Sequence, residues 1–191
     1  MKKFLLYIAG KKGSGKSSLI EMFSQQGYYT TELRFNLEEA LRTGEINPKA
    51  IPIPFYWTHE MLEFTFKKIR DKQLVILTGL YNTKDLQHFY NLGFRVVIVS
   101  VVAEDKFRYE RTTARENEKG NHLKMEDLLY KDSKRDGTAK GFEFNNNNDL
   151  MALSRYEIKN EGKFQDFERS FSELLLSLQA DFPREFTITS K

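Results

Sequence analysis

The residues with the clearest chemistry lie near the start of the chain, where the eight residues from Gly10 to Ser17 fit the pattern G-x-x-x-x-G-K-[ST] without a mismatch. Glycines at this spacing let successive backbone N–H groups point at phosphate oxygens. Lys16 would span the β- and γ-phosphates of a nucleoside triphosphate, and the Ser17 hydroxyl would complete the shell of a magnesium ion. The predicted nucleotide contacts in this loop are Gly10, Lys11, Lys12, Gly13, Ser14, Gly15, Lys16, Ser17 and Ser18.

The elements on either side of this loop are those that a phosphate site needs. Residues 4–9 form a continuous apolar run, as a central parallel strand covered on both faces requires. Residues 17–26 have helical spacing, and the start of that helix would offer its unpaired N–H groups and its positive dipole end to the same anion. At average residue usage the pattern arises by chance in roughly one chain in a hundred of this length. Its position between strand and helix therefore favours a functional loop over an accidental glycine turn.

The rest of the chain alternates between strand-like and helical patterns. The strand-like runs are residues 4–9, 28–33, 74–78, 94–102 and 155–159. Helical spacing covers residues 17–26, 36–42, 56–70, 84–92, 104–118 and 164–180. Such alternation predicts an α/β fold, with a five-stranded, mostly parallel sheet between two helical layers and residues 1–191 as one domain. In these sheets ligands bind beyond the carboxyl ends of the strands, which is where the loop from Gly10 begins.

Composition narrows the classes of function. The chain has 191 residues, of which 40% are hydrophobic and 30% charged, and a net charge of +3, too small to argue for nucleic acid. The absence of cysteine excludes disulfides, a thiolate nucleophile and cysteine-ligated metal centres. The apolar run at residues 4–9 is too short to cross a membrane, and no small-residue cleavage site follows it. We therefore expect a cytoplasmic protein without a membrane or nucleic-acid partner, and the sequence leaves its oligomeric state open.

Three further segments carry a resemblance to known proteins. The run from Phe107 to Arg111, with Arg115 beyond it, the pair Lys131-Asp132, and residues 152–162 accompany the compact phosphate loop. Together they resemble the nucleoside-monophosphate-kinase group of P-loop proteins, most of all the small adenylate-kinase-related and dephospho-CoA-kinase-like kinases. The resemblance implies ATP and Mg²⁺ as cofactors and a nucleotide-like small molecule as the phosphate acceptor. It also implies a mobile lid at residues 117–141, although a disordered surface loop fits the same composition.

The resemblance also assigns roles to single residues. Glu32 and Arg34 follow the second strand, where the family places an acidic residue that orients or deprotonates the acceptor and an arginine for its phosphate. A surface ion pair is the alternative for these two residues. Asn160 falls in the loop that would border the adenine.

Arg108, Arg111 and Arg115 share one helix face by their spacing of three and four. Three guanidiniums on one face need anions nearby, which a transferring phosphoryl group or neighbouring glutamates would supply. Arg111 and Arg115 are the candidates for a catalytic lid contact.

Three other regions were harder to interpret from the residues. An acceptor base could stack on the aromatic segment Phe55, Tyr56, Trp57 and His59, although such residues beside a proline loop more often pack in a core. The asparagines at positions 145–148 suggest a solvated insertion. The tail at residues 183–191 could not be placed.

The sequence departs from the family pattern at the third strand. Thr78 stands where the related kinases carry an acidic residue that holds a magnesium-bound water, and Tyr81 replaces a nearby arginine. Arg155 likewise replaces an aspartate before the last strand. A missing charge at such a site costs a phosphoryl transfer about 10²-fold or more in rate. The sequence therefore predicts a small-molecule kinase, with a nucleotide-binding regulator that has lost transfer as the alternative.

Overall fold

The computed structural model describes residues 2–51 and 57–187, in which five strands form one sheet in the order β2-β3-β1-β4-β5. The strands are β1 (Lys3–Ala9), β2 (Thr30–Glu32), β3 (Leu74–Thr78), β4 (Phe94–Val102) and β5 (Tyr156–Lys159). Each of the four neighbouring pairs in the described sheet is parallel. The predicted α/β class with a five-stranded parallel sheet is confirmed.

The helices cover both faces of this sheet. They are α1 (Lys16–Gln25), α2 (Leu33–Thr43), α3 (His59–Ile69), α4 (Thr83–Asn91), α5 (Asp105–Asn117), α6 (Met125–Arg135), α7 (Asn147–Ala152), α8 (Phe164–Asp181) and α9 (Pro183–Phe186), with a 3₁₀ turn at Pro48–Ala50. Helix α2 begins at the residue after β2, three residues earlier than the periodicity predicts. Helix α6 lies inside the segment predicted only as a polar lid.

The strand β1 shows why the molecule has three layers. Its side chains alternate between two apolar clusters, and both sets are almost fully buried. Leu5 and Tyr7 join the cluster under α2, α3 and α4, while Leu6 and Ile8 join the cluster under α1 and α8. A continuous apolar run therefore marks a strand covered on both faces, and the phosphate loop follows directly from its carboxyl end.

Two expectations about irregular segments need correction. The asparagines at positions 145–148 are not a solvated insertion, since Asn145 and Asn147 are buried. The Asn145 side chain donates to the Lys134 carbonyl (2.8 Å), and the Asn146 side chain accepts from the Thr83 backbone N–H (2.9 Å). The buried Asn145 and the half-buried Asn146 thus pair backbone groups that the end of α6 and the start of α4 leave open.

The tail begins as a helix that belongs to the core. Phe186 in α9 is completely buried and packs edge-on against Phe4 of β1. Residues 188–191 of the tail lie outside the described residues, as do Phe55 and Tyr56 of the aromatic segment.

Candidate functional site at the phosphate loop

The loop between β1 and α1 has a shape that its glycines make accessible. Gly10 and Gly15 have φ angles of 148° and 111°, which residues with a Cβ atom rarely adopt. A Cβ atom on Gly15 would lie 2.2 Å from the Asn160 side-chain nitrogen, and one on Gly10 would lie 2.5 Å from the Val101 carbonyl oxygen. The loop therefore sits in close contact with the ends of β4 and β5.

Buried side chains hold this loop from two sides. From the end of β5, the Asn160 amide donates to the Ser14 carbonyl (2.8 Å). From α5, the Arg108 guanidinium donates to the Lys12 carbonyl (2.9 Å). Arg111 donates to the Asn160 backbone carbonyl (2.8 Å) and so reinforces the first of these supports. The structure thus places Asn160 and Arg111 against the loop, in contact with each other; their proposed contacts with adenine and phosphate stay predictions.

Arg108 is a structural residue of this support. Its side chain is 1% exposed and pairs with Asp105 and Asp132, each at 2.6 Å. Burial alone would lower the pKa of Arg108, but the hydrogen bonds that its guanidinium donates to these two carboxylates raise it. The guanidinium thus ties α5 and α6 to the phosphate loop as a permanent cation.

Lys16 lies at the centre of the site. Its ammonium donates to the Lys11 carbonyl (2.9 Å), which holds it across the mouth of the loop. Burial, and after it the nearby charge of Arg135, lower the pKa of Lys16 to about 7, against the opposing charges of Glu32 and Asp132. A desolvated ammonium whose strongest neighbour is another cation is suited to receive a polyphosphate.

One cavity of about 420 Å³ joins the phosphate loop to the ends of β2 and β3. Its lining includes many of the residues for which the sequence predicts a role at the site or at the third-strand turn. These are Gly10, Lys12, Gly13, Lys16, Ser17, Glu32, Arg34, Thr78, Tyr81 and Arg115. Lys11, Ser14, Gly15, Ser18, Arg111 and Asn160 are not among the residues that line it. Of the three arginines on α5, then, Arg115 is the one that reaches the cavity.

The wall opposite Lys16 is formed by the end of β2 and the start of α2. Burial raises the pKa of Glu32, and the charges of Lys16 and Arg34 oppose this rise. A carboxylate of raised basicity in the same cavity as the phosphate loop is suited to accept a proton. Arg34 also lines the cavity, and its exposed side chain pairs with Glu38 on the next turn of α2 (2.7 Å).

The turn after β3 is built without charge. The Thr78 hydroxyl is 2% exposed and donates to the Ile8 carbonyl (2.8 Å). Tyr81 stacks on Trp57, with ring centroids 6.3 Å apart and planes 21° apart. The Trp57 indole in turn donates to the Gly79 carbonyl (2.8 Å). Trp57 is therefore a packing residue beneath the site rather than a stacking surface, and the exposed His59 of α3 is not among the lining residues.

Arg135, at the end of α6, is a lining residue that the sequence patterns did not single out. Its guanidinium lies 5.7 Å from the centroid of the Tyr81 ring. The only available signal was its spacing of four from Lys131, which puts both cations on one face if a helix is assumed. No periodic apolar pattern marked that helix, so the residue was missed.

The segment predicted as a lid packs against the phosphate loop through an ion pair. Lys11 of the loop pairs with Asp136 directly after α6 (3.3 Å), while Lys12 pairs with Glu116 of α5, just before that segment (3.5 Å). With the buried Arg108–Asp132 pair between α5 and α6, the Lys11–Asp136 contact places α6 beside the loop. The mobility of residues 117–141 stays a prediction.

Comparison with known proteins agrees with this architecture. No family model matches the chain. The chain is 27% identical to a UPF0200 protein of Staphylothermus marinus over 187 residues, covering 93% of this chain and 94% of that protein. A UPF0200 protein of Pyrobaculum aerophilum is 25% identical over 181 residues, covering 92% of this chain and 98% of that protein.

Solved structures share the fold at lower identity. TT1252 from Thermus thermophilus superposes with a TM-score of 0.62 at 17% identity, covering 93% of this chain and 99% of that one. Shikimate kinase from Bacteroides thetaiotaomicron gives 0.60 at 15% identity, covering 92% and 98%. A gluconokinase from Sinorhizobium meliloti gives 0.50 at 15% identity, covering 94% and 97%. The fold is that of P-loop kinases. Among the described residues, none of the helices is long and apolar enough to span a membrane.

Proposed function

We propose that this protein is an ATP-dependent kinase that transfers the γ-phosphoryl group to a nucleotide or a nucleotide-like small molecule. The observation that carries the proposal is the single cavity of about 420 Å³ in which Lys16 and Ser17 face Glu32 and Arg34. Donor and acceptor groups must lie in one space for phosphoryl transfer, and this cavity brings the cations of the phosphate loop together with the Glu32 carboxylate. The kinase fold of the structural neighbours supports the same reaction class.

Four side chains of the cavity and the backbone of the glycine loop have roles in this proposal. The glycine loop would hold the β-phosphate through backbone N–H groups, and Lys16 would bridge to the γ-phosphate. Glu32 would orient the accepting oxygen and, where that oxygen belongs to a hydroxyl as in dephospho-CoA, accept its proton, a task that its raised pKa suits. Arg34 would bind an anionic group of the acceptor. Arg115 would neutralise charge on the transferring group from the lid side.

The residues present also fit a magnesium ion. Ser17 stands exposed in the first turn of α1 and lines the cavity, so its hydroxyl is available as an oxygen ligand. The ion would neutralise charge between the β- and γ-phosphates. Thr78 lies nearby in the same cavity but its hydroxyl proton is given to Ile8, which leaves its oxygen lone pairs as the one contribution from the third strand.

The finer likeness to adenylate kinases and dephospho-CoA kinases is part of the proposal. It rests on the resemblance of residues 107–115, 131–132 and 152–162, and on the position of α6 over the phosphate loop. In that likeness Arg111 assists the lid, and Asn160 borders the adenine from the end of β5.

A nucleotide-binding regulator is the second candidate function, and Thr78 is the observation that favours it. The turn after β3 presents a hydroxyl that is bonded to the backbone and an aromatic ring, with no carboxylate or arginine of its own. Such a site would bind a nucleoside triphosphate but transfer its phosphoryl group slowly. The protein would then act through the difference between its triphosphate-bound and diphosphate-bound states rather than through a reaction product.

Label transfer decides between the two. Purified protein would be incubated with γ-labelled ATP, magnesium and a panel of nucleoside and deoxynucleoside monophosphates plus dephospho-CoA, with Lys16→Ala as the blank. We expect label to move to one acceptor and to stay on ATP in the blank, because Lys16 is the cation that bridges the phosphates. ATP binding without transfer to any acceptor would favour the regulator.

A further inference from the structure

A second cavity, of about 320 Å³, opens beside the first, between the turn after β3 and α6 with its following loop. We call it the α6 cleft. Its lining residues are Lys12, Arg34, Tyr81, Lys131, Lys134, Arg135, Phe142 and Asn145. Lys12, Arg34, Tyr81 and Arg135 also line the phosphate cavity, so the two spaces are continuous.

The charged residues that line the α6 cleft are all positive. Five of its eight lining residues are lysine or arginine, and none is acidic. Lys12 and Arg34 pair with Glu116 and Glu38, neither of which lines the cleft. Within residues 2–51 and 57–187, the three cations of α6 form no ion pair with a carboxylate; these are Lys131, Lys134 and Arg135. Cations that are crowded in one concave space repel each other unless an anion joins them.

Aromatic rings hold two of these cations in place without neutralising them. The Lys134 ammonium lies 4.4 Å from the Tyr130 ring centroid and 5.1 Å from that of Phe142. The Arg135 guanidinium lies 5.7 Å from the Tyr81 ring centroid. Contacts of this kind restrict the rotamers of a cationic side chain but do not neutralise its charge. The charge therefore stays available to a ligand. Lys131 contributes to lowering the pKa of Lys12, after burial, which is the effect expected where positive charge is concentrated.

Arg135 occupies the place of a charge that the third-strand turn lacks. At that turn the chain carries Tyr81, and the guanidinium over its ring comes from α6 instead. An arginine can hold a phosphate or a carboxylate with two parallel hydrogen bonds, which neither Tyr81 nor Thr78 can do. The cation is therefore present at the same wall, although it comes from a different part of the chain.

We propose that the α6 cleft binds the anionic group, phosphate or carboxylate, of the phosphoryl acceptor, with Arg135 as its central cation and the rings of Tyr81 and Phe142 beside it. This inference rests on the proposed kinase function, because it assigns the acceptor side of the same site. It names the acceptor class as a small anion with a flat apolar part, and it excludes neutral alcohols. A purely structural role for Lys134 and Arg135 also exists, since cations in the last turn stabilise a helix. That role would affect stability and leave anion affinity unchanged.

The chain carries its own probe for this cleft. Trp57 is the one tryptophan in the sequence, and it stacks beneath Tyr81. With the phosphate loop saturated by Mg·ADP, phenyl phosphate, benzoate and the neutral isostere benzamide would be titrated while Trp57 emission is followed. We expect one or both anions to bind at least tenfold more tightly than benzamide. The stronger of the two identifies phosphate or carboxylate as the preferred group.

Variants test whether Arg135 carries this preference. Arg135→Ala should lower the affinity for the anions at least tenfold. Arg169 is an exposed arginine on α8, and Arg169→Ala should leave the affinity unchanged. Tyr81→Arg in the Arg135→Ala background should restore most of the affinity, because it returns a guanidinium to the same wall. Since this change also alters the surroundings of Trp57, the affinity of the double variant is measured by calorimetry instead of fluorescence. Equal anion affinity in Arg135→Ala and Arg169→Ala, or no preference for either anion over benzamide, overturns the proposal.

Mg·ADP binding keeps this outcome separate from the fate of the kinase proposal. If Mg·ADP binds in a Lys16-dependent way and the cleft shows no anion preference, the cleft assignment fails and the phosphate site stands. If Mg·ADP binds equally well to Lys16→Ala, the nucleotide site itself is wrong.

Discussion

The two walls of the cavity are built in different ways. The phosphate loop presents mainly backbone groups, and buried partners hold it: Arg108 is 1% exposed and Asn160 is 8% exposed. The other wall, which we propose binds the acceptor and call the acceptor wall, presents side chains from three distant segments, with Glu32 at the end of β2, Tyr81 after β3 and Arg135 on α6. No buried ion pair within the described residues fixes these three to one another.

This contrast indicates that the phosphate loop tolerates few substitutions, whereas the acceptor wall tolerates more. A loop whose shape depends on glycines, and whose supports are buried, loses its function on almost any change. A wall of partly exposed side chains can exchange one cation for another from a neighbouring helix. The acidic residue and arginine that the family likeness predicts after β3 are absent there, while the loop pattern is intact. Substitutions on the two walls should therefore differ in kind.

The largest expected effect is on the supported wall. Arg108→Ala would leave Asp132, itself 4% exposed, as a buried carboxylate without its cation, and would free the Lys12 carbonyl. Breaking a buried pair in this way costs about 3–5 kcal/mol. We expect the free energy of unfolding, measured with urea, to fall by that amount.

Arg115→Ala is the matched control, because Arg115 is exposed two turns along the same helix. Its removal should change the free energy of unfolding by about 0.5 kcal/mol or less. Its effect should appear in phosphoryl transfer instead. Similar losses of stability in both variants would contradict the division between the two walls.

The next effect, about tenfold in rate, concerns the uncharged turn after β3. Thr78→Asp would place a carboxylate in the cavity, where it can accept a hydrogen bond from a magnesium-bound water. We expect kcat for transfer to rise about tenfold at saturating magnesium, with some loss of stability because the bond to Ile8 is lost. Thr78→Asn, which brings the same shape without the charge, should give no gain. A rate that stays at background in both would favour the regulator.

The same contrast explains how much the sequence could predict. The glycine spacing, the apolar β1 run and the helix after it are local patterns, so the loop, its position and the parallel sheet followed from the residues alone. The exact supports of the loop did not. The ligand contacts of Asn160 and Arg111 stay predictions, and the spacing does not show that the fold also brings both residues against the loop, a contact across 146 positions in the case of Asn160 and Ser14.

The acceptor wall was the least predictable part. Arg135 depends on the packing of α6, a helix whose apolar residues lie in its first half while Arg135 lies at its end. The polar type of the asparagines at positions 145–148 suggests solvation, but Asn145 and Asn147 are buried, and the side chains of Asn145 and Asn146 pair with backbone groups of α6 and α4. Both depend on contacts between segments far apart in the chain, which spacing within one segment does not encode.

A dependence on pH sharpens the comparison at Lys16, where the two walls meet. Burial lowers the pKa of Lys16 to about 7 in the nucleotide-free protein, and bound phosphates would raise it again. Above pH 7 the free lysine is increasingly neutral, so Mg·ATP binding must take up a proton there. The affinity for Mg·ATP should therefore fall between pH 7 and pH 9, by up to about one log unit per pH unit, and be nearly constant below pH 6.

Calorimetry in two buffers of different ionisation enthalpy measures the proton uptake directly. Lys16→Arg keeps its charge throughout and should show no uptake; a wild-type profile as flat as that of Lys16→Arg would mean that Lys16 is solvated like a surface lysine.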